Sequence, residues 1–274
     1  MGLVFMSRDN LNMRGLYLWI FIFFAACVPV QALAGAWLEN QDNLKVVLSH
    51  ARADNVYSFL QNPTQLGKAE QQYNSLFLEY GLTDNLAITL KYLDKETHSL
   101  VTTYTNDDSQ IGLKIDLSFL SPGFIPLPFI KPIGREKVGS VSLNKISTSF
   151  QQEISSIKSE QTANSFYVEL ADKLSYKNFN MIQSIGYGQD LFSDATWSRQ
   201  HVFLTIEIDK IAFGVRSDFF EDSFSGYKEI NRKKYISLGN IKGLGVTLIG
   251  GRTYWKGFEI QANTTEIQFQ YRFD

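Results

Sequence analysis

Residues 266–273 sort into two sets by parity. Ile267, Phe269, Tyr271 and Phe273 are apolar or aromatic, while Glu266, Gln268, Gln270 and Arg272 are polar. Successive side chains of a strand point to opposite sides, so this segment has one greasy face and one wet face. A strand this aromatic, closing one residue before the last residue of the sequence, is unusual in a water-soluble sheet. It fits a wall between lipid and a polar interior.

Three further segments alternate as cleanly. Leu86, Ile88, Leu90 and Tyr92 oppose Ala87, Thr89 and Lys91; Ile111, Leu113, Ile115, Leu117 and Phe119 oppose Gly112, Lys114, Asp116 and Ser118. Val202, Leu204, Ile206 and Ile208 oppose His201, Phe203, Thr205, Glu207 and Asp209. Twelve candidate strands follow from the same reading: 44–53, 71–80, 86–93, 109–119, 139–150, 164–176, 179–189, 200–209, 211–221, 228–238, 243–255 and 262–273. Their lengths suit tilted strands crossing a bilayer, which needs about 9–11 residues each. In the segment 139–150 the alternation changes phase near Asn144, which predicts a bulge.

Connections carry an independent signal. Stretches after odd-numbered strands are long or polar, and most of those after even-numbered strands are tight turns. Such alternation predicts an even-numbered, antiparallel, up-and-down transmembrane β-barrel, all-β and of about twelve strands (ten to fourteen remaining open). Short turns and both termini then fall on the periplasmic side. Residues 120–138 break the pattern: four of the chain's six prolines lie there, too many for a ladder strand. Two readings of this segment stand, an interfacial loop dipping into lipid or a lid over the lumen mouth.

The other end of the chain agrees with export. Arg14 precedes an apolar run, Gly15 to Val30, followed by Gln31-Ala32-Leu33-Ala34-Gly35. A basic flank, a hydrophobic core and an A-x-A site predict a signal peptide over 1–34, cleaved after Ala34, with one barrel domain over 35–274. The start itself could be Met6 or Met13. The only cysteine, Cys27, lies within the removed run, so the mature chain has no disulfide. That mature chain carries 24 Lys/Arg against 27 Asp/Glu, a balance that argues against nucleic acid as a partner.

Polar strand faces give the candidate functional residues. Charges facing lipid at the bilayer midplane cost about 2–4 kcal/mol for Arg or Lys, so they belong inside. Lys91, Lys114, Asp116, Glu169, Glu207, Asp209, Arg216, Asp218, Glu266 and Arg272 are therefore expected to line the lumen, where they either border a hydrated path or pair across it. Enzyme chemistry finds little support. Ser49 and His50 are adjacent and point to opposite faces of a strand, no H-x-S occurs, His98 sits beside Ser99 in an external loop, and His201 reads as a rim residue in a polar mouth. Asp107-Asp108, Asp190 with Asp194, and Glu221-Asp222 read as hydrated loop carboxylates. The sequence holds no CxxC, HExxH, phosphate loop or dinucleotide fingerprint, so no catalytic residue, metal or cofactor is assigned.

Two resemblances extend the reading. Phe269, Tyr271 and Phe273 resemble the C-terminal signal recognised by the outer-membrane barrel-assembly machinery, although Asp274 follows the final Phe. Gly35-Ala36-Trp37 and Glu79-Tyr80-Gly81-Leu82-Thr83-Asp84-Asn85-Leu86 resemble the proteobacterial outer-membrane barrels grouped with phenol meta-degradation pathway proteins and related transporters. That likeness covers the first third of the chain and concerns a turn signature, so it implies a porin-like uptake barrel and transfers no functional residue. The leading expectation is passage of a small solute, hydrophobic ones included, across the outer membrane. Two alternatives stand beside it: a barrel with a filled lumen whose external loops bind a surface or host partner, and a barrel lipid hydrolase or rim protease. The partners implied are outer-membrane lipid, the assembly machinery and a small-molecule solute.

Overall fold

The computed structural model describes residues 37–57, 68–98, 103–121, 123, 131–152, 158–177, 180–192, 195–222, 228–241, 243–255 and 260–273. They form twelve strands: β1 (Leu44–Tyr57), β2 (Lys68–Thr83), β3 (Leu86–His98), β4 (Thr103–Asp116), β5 (Gly134–Gln152), β6 (Lys158–Ser175), β7 (Asn180–Phe192), β8 (Ala195–Ile208), β9 (Ile211–Asp222), β10 (Lys228–Ile241), β11 (Leu244–Trp255) and β12 (Ile260–Phe273). Each pairs antiparallel with its sequence neighbours, and β12 returns to β1 to close the barrel. The closing seam runs in unbroken register from Leu44↔Phe273 to Asp54↔Asn263. The signal-peptide expectation lies outside the described residues.

Most strands run further toward the long-loop end than the alternation predicts. β3 continues to His98 and β4 begins at Thr103, taking Asp107 and Asp108 out of the expected loop and onto opposite faces of the wall. Beyond the apolar belt both faces of a strand meet water, so the period-two signal disappears while the ladder continues. The bulge expected near Asn144 is absent: β5 keeps register through Asn144 with both β4 and β6. The apparent phase change arises because Ile146, an apolar residue of β5, is buried on the lumen side while its neighbour Lys145 is exposed on the outer side.

The two faces of the wall differ as lipid and water require. Ile111, Leu248 and Phe269 are 57%, 53% and 45% exposed on the outside, whereas Lys114 is 3% exposed on the inside. Leu44, Val46 and Leu48 of β1 continue this belt outward, and Lys45, Val47 and Ser49 alternate with them inward. Small inward residues make room for large inward neighbours. Gly214 is the register partner of Tyr235, and a Cβ on Gly214 would stand 2.0 Å from the Tyr235 ring. Gly188 serves Tyr167 in the same way, Gly112 serves Asn144, and Gly251 serves Lys233.

The proline-rich connection between β4 and β5 lies against the outer wall where it is described. Ser118–Leu120 form a short 3-10 turn, the Ser121 hydroxyl donates to the Ala171 carbonyl at 3.5 Å, and the Ile133 amide donates to the Ser175 carbonyl at 2.8 Å. Nearby, Asp172 faces outward yet is fully buried, accepting from Arg135 Nε at 2.9 Å and Nη2 at 2.5 Å. Pro122 and Phe124–Ile130 lie outside the described residues.

Replacing Gly214 with leucine should expel the Tyr235 ring and destabilise the barrel by about 1–3 kcal/mol. Gly250→Ala, where a Cβ meets nothing within 4 Å, should leave stability within about 0.5 kcal/mol. Urea titration of the heat-modifiable band in detergent measures both. Equal midpoints would contradict this account of the inner wall.

Candidate solute pathway in the lumen

The lumen contains a cavity of about 410 Å³ at the level of the apolar belt. Val47, Phe77, Leu93 and Ile249 supply apolar surface, and Tyr73 and Tyr235 supply aromatic walls. Four cations (Lys45, Lys91, Arg216 and Lys233) and two carboxylates (Glu79 and Glu266) also line it. Alternation puts these groups inside; register decides which of them meet.

Glu266 is the hub on one side. It pairs with Lys233 at 3.0 Å, accepts from the Tyr73 hydroxyl at 3.1 Å, and accepts from Gln268 Nε2 at 2.7 Å. Tyr73 belongs to β2 and Glu266 to β12, with β1 between them. Ala51, fully buried, is the register partner of both, and its single methyl lets the two side chains meet across it. Gly251, the register partner of Lys233, leaves room for the lysine stem to run diagonally toward Glu266. On β9, Arg216 pairs with Asp218 at 2.5 Å. Tyr235 shares a hydrogen bond with the Thr205 hydroxyl at 3.2 Å, and Ser184 donates to Glu169 at 2.8 Å. Removing one partner of such an enclosed pair leaves an uncompensated charge, at a cost of about 3–5 kcal/mol.

At the end of the barrel where the short turns lie, the chain stoppers its own lumen. Residues 37–43 fold inward ahead of β1. Trp37 packs against Val138 and Ala171, donates from Nε1 to Glu136 Oε1 at 3.1 Å, and accepts at its carbonyl from Lys114. Glu39 is buried and receives Arg272 at 3.0 Å and Lys45 at 3.6 Å. Its amide donates to Glu79, which pairs with Lys114 at 2.8 Å. Gln41 forms a parallel bridge to Gly81, whose missing side chain is required: a Cβ there would lie 2.0 Å from the Asn40 carbonyl oxygen. The stopper is thus an ionic latch, built from two carboxylates and three cations on five different segments.

The ten lumen candidates read from the sequence divide as follows. Lys91 and Arg216 border the cavity, and Glu266 anchors its polar hub. Asp218 partners Arg216, and Glu169 holds Ser184. Lys114 and Arg272 belong to the latch. Glu207 accepts from Asn180 at 2.8 Å and stands 4.0 Å from Lys173 near the short-turn rim. Asp116 accepts from the amide and hydroxyl of Ser118, capping the turn after β4. Asp209 is the correction: it sits in the exposed β8–β9 turn with φ 58°, in the left-handed region that aspartate tolerates, and is no part of the wall. Phe269, Tyr271 and Phe273 all face outward, the last two rings meeting edge-on at 4.4 Å.

Sequence reading missed Tyr73, Tyr235, Lys45, Glu79, Glu39 and Lys233. The last is hidden within the run Arg232-Lys233-Lys234, where three successive cations carry no parity of their own. Its pairing with Gly251 across β10–β11 reveals the inward member. Two of the histidines can be placed. His50 faces outward to Asn74 Oδ1 at 2.9 Å, while the Ser49 hydroxyl meets that of Ser75 on the inside. His98 lies at the far rim beside Thr103 and Glu96. Among the described residues no group of three or more His, Cys, Asp or Glu is placed to hold a metal ion.

No family model matches the chain, and no curated protein matches it in sequence. Solved structures do resemble it. An outer-membrane channel from Pseudomonas putida F1 aligns over 89% of this chain and 100% of its own, with TM-score 0.54 and 10% identity. The translocator domain of the autotransporter NalP from Neisseria meningitidis aligns over 96% of each chain with TM-score 0.47 and 9% identity. The KdgM porin bound to oligogalacturonate aligns over 84% of this chain and 99% of its own, with TM-score 0.44 and 8% identity. At these identities the likeness concerns architecture: the chain has the fold of a transmembrane β-barrel of the outer-membrane type.

Proposed function

We propose that this barrel resides in the outer membrane with both termini in the periplasm, and conducts a small amphipathic anion through its lumen. One observation carries the reading: the belt-level cavity combines aliphatic and aromatic walls with four cations against two carboxylates. An apolar pocket with a few converging polar groups is the usual form of a small-molecule site. Here the cations in the lining offer hydrogen-bond donors to a carboxylate or similar head group, and the apolar walls favour a hydrophobic body. The turn signature at Glu79–Leu86 resembles that of uptake barrels and supports small-solute passage in general, without pointing to a class of solute.

Hydration of the lumen favours passage over a dry core. Asn144 Oδ1 and Nδ2, Ser165 Oγ and Gln268 Oε1 are buried without a hydrogen-bond partner among the described residues. Such groups require water or a polar solute. The ionic stopper makes the resting lumen narrow at the periplasmic end, and solute passage then depends on releasing residues 37–43. The same stopper favours a second reading, in which the lumen stays shut and the external rim binds a partner. His50 and the Ser49 hydroxyl on opposite faces of β1 lend no support to a hydrolase built on that pair.

Planar-bilayer recording separates the readings. The wild-type barrel should give brief, anion-selective openings. Glu39→Gln removes the carboxylate that Arg272 and Lys45 share, and should raise open probability about tenfold, equivalent to about 1.4 kcal/mol of latch energy. Lys233→Gln combined with Arg216→Gln should shift the reversal potential toward cations. A folded Glu39→Gln protein that stays electrically silent would contradict conduction and favour the closed-lumen reading.

A further inference from the structure

The outer wall carries a basic patch that the lumen account does not use. On β10 the outward residues above the short-turn end are Leu238 and Ile236, then Lys234 and Arg232. On β11 they are Leu244, Val246 and Leu248, then Gly250 and Arg252. Arg232 stands directly opposite Arg252 across the β10–β11 ladder, and Lys234 directly opposite Gly250. All three cations are exposed. They lie at the upper edge of the apolar belt, toward the long-loop end.

Like charges placed directly opposite on a sheet face repel, and an antiparallel pair brings their Cβ atoms to about 4.5–5.5 Å. A wall that accepts this arrangement ordinarily supplies a carboxylate between the two. Here Arg232 contacts the Tyr254 ring, with its guanidinium carbon 5.6 Å from the centroid, and none of the three cations forms an ion pair among the described residues. The nearest outward carboxylates are already engaged, Glu221 by Lys228 at 2.5 Å and Asp54 by Arg52 at 3.3 Å. Among the described residues no carboxylate answers these cations, which leaves them open to an anion from outside the chain.

Geometry at the patch selects its source. Gly250 leaves a notch in the wall between Lys234 and Thr265, its register partners. A Cβ placed there would meet nothing within 4 Å. Below the notch, Ile236, Leu248 and Ile267 form one continuous apolar strip across three strands. A ligand that fits has anionic oxygens for the two guanidinium forks and the ammonium, with acyl chains running down the strip. The patch is confined to one side of the barrel. On the far side, at β3–β4, two outward carboxylates, Asp94 and Asp107, oppose one another instead.

We propose that Arg232, Lys234 and Arg252 form a binding site on the lipid-facing wall for the phosphate groups of one phosphorylated glycolipid of the outer leaflet. Phosphates at the patch neutralise the arginine pair, and the acyl chains cover the strip beneath. Binding at this site does not require the lumen to conduct.

Native mass spectrometry of the folded barrel in detergent tests the proposal, with bis-phosphorylated lipid A as the probe. Wild type should retain one lipid A, and lipid A stripped of both phosphates should bind at least about tenfold more weakly. The triple variant Arg232→Gln, Lys234→Gln, Arg252→Gln should lose affinity to the same degree while keeping its heat-modifiable migration. Lys145→Gln, an exposed cation on the outer face of β5, should change nothing. If the triple variant fails to fold, Arg252→Gln and Lys234→Gln singly should each weaken binding severalfold. Undiminished binding by the variants, equal binding of dephosphorylated lipid, or full displacement by inorganic phosphate would each overturn the proposal.

Discussion

Lipid offers no hydrogen bonds to a peptide backbone, and that constraint organises everything else in this molecule. Every amide and carbonyl within the bilayer must find its partner inside the protein, so a sheet that crosses must close on itself. Closure happens where β1 meets β12, eleven register pairs from Leu44↔Phe273 to Asp54↔Asn263. Once the wall is closed, each strand has one face for lipid and one for the lumen, and a residue's parity settles which it meets. The aromatic face of β12 and the polar set of Glu266, Gln268 and Arg272 are two consequences of that one condition.

A closed wall also concentrates charge. Polar side chains barred from the lipid face converge in an enclosed lumen, where an unpaired charge is costly. The barrel answers with local pairs and with small residues that let partners reach each other: Ala51 between Tyr73 and Glu266, Gly251 beneath Lys233, Gly214 beneath Tyr235. It answers a second time at the short-turn end, where Glu39 enters from outside the wall to compensate Arg272 and Lys45. The stability of this end of the barrel then rests on the same ion pairs.

Much of the wall was legible in the sequence because lipid writes a period of two wherever it touches the chain. All twelve strands lie where alternation places them. Their upper ends do not, because Asp94 to His98 and Thr103 to Asp108 stand above the belt with water on both sides, and no periodic contrast survives there. Asp209 follows the parity of β8 yet belongs to its turn, since parity cannot say where a strand stops. The lumen pairs were illegible for another reason: Glu39 and Arg272 are 233 positions apart, and only the register of the closed barrel brings them together. Lys233 and its two basic neighbours show the same limit, one facing the cavity and two facing lipid, with nothing in the composition to tell them apart.

The division of the wall into lipid and lumen faces is the claim on which the cavity, the latch and the lipid site all depend. Spin labels placed one at a time on cysteines from 263 to 273, in a chain whose only native cysteine is Cys27, test it directly in a bilayer. Collision with oxygen should peak at 267, 269, 271 and 273 and fall at 266, 268, 270 and 272. It should also fall at 263 and 265, where Asn263 and Thr265 stand above the belt. A profile without the period of two, or one in which the aromatic positions meet a water-soluble nickel chelate as readily as oxygen, would contradict the account.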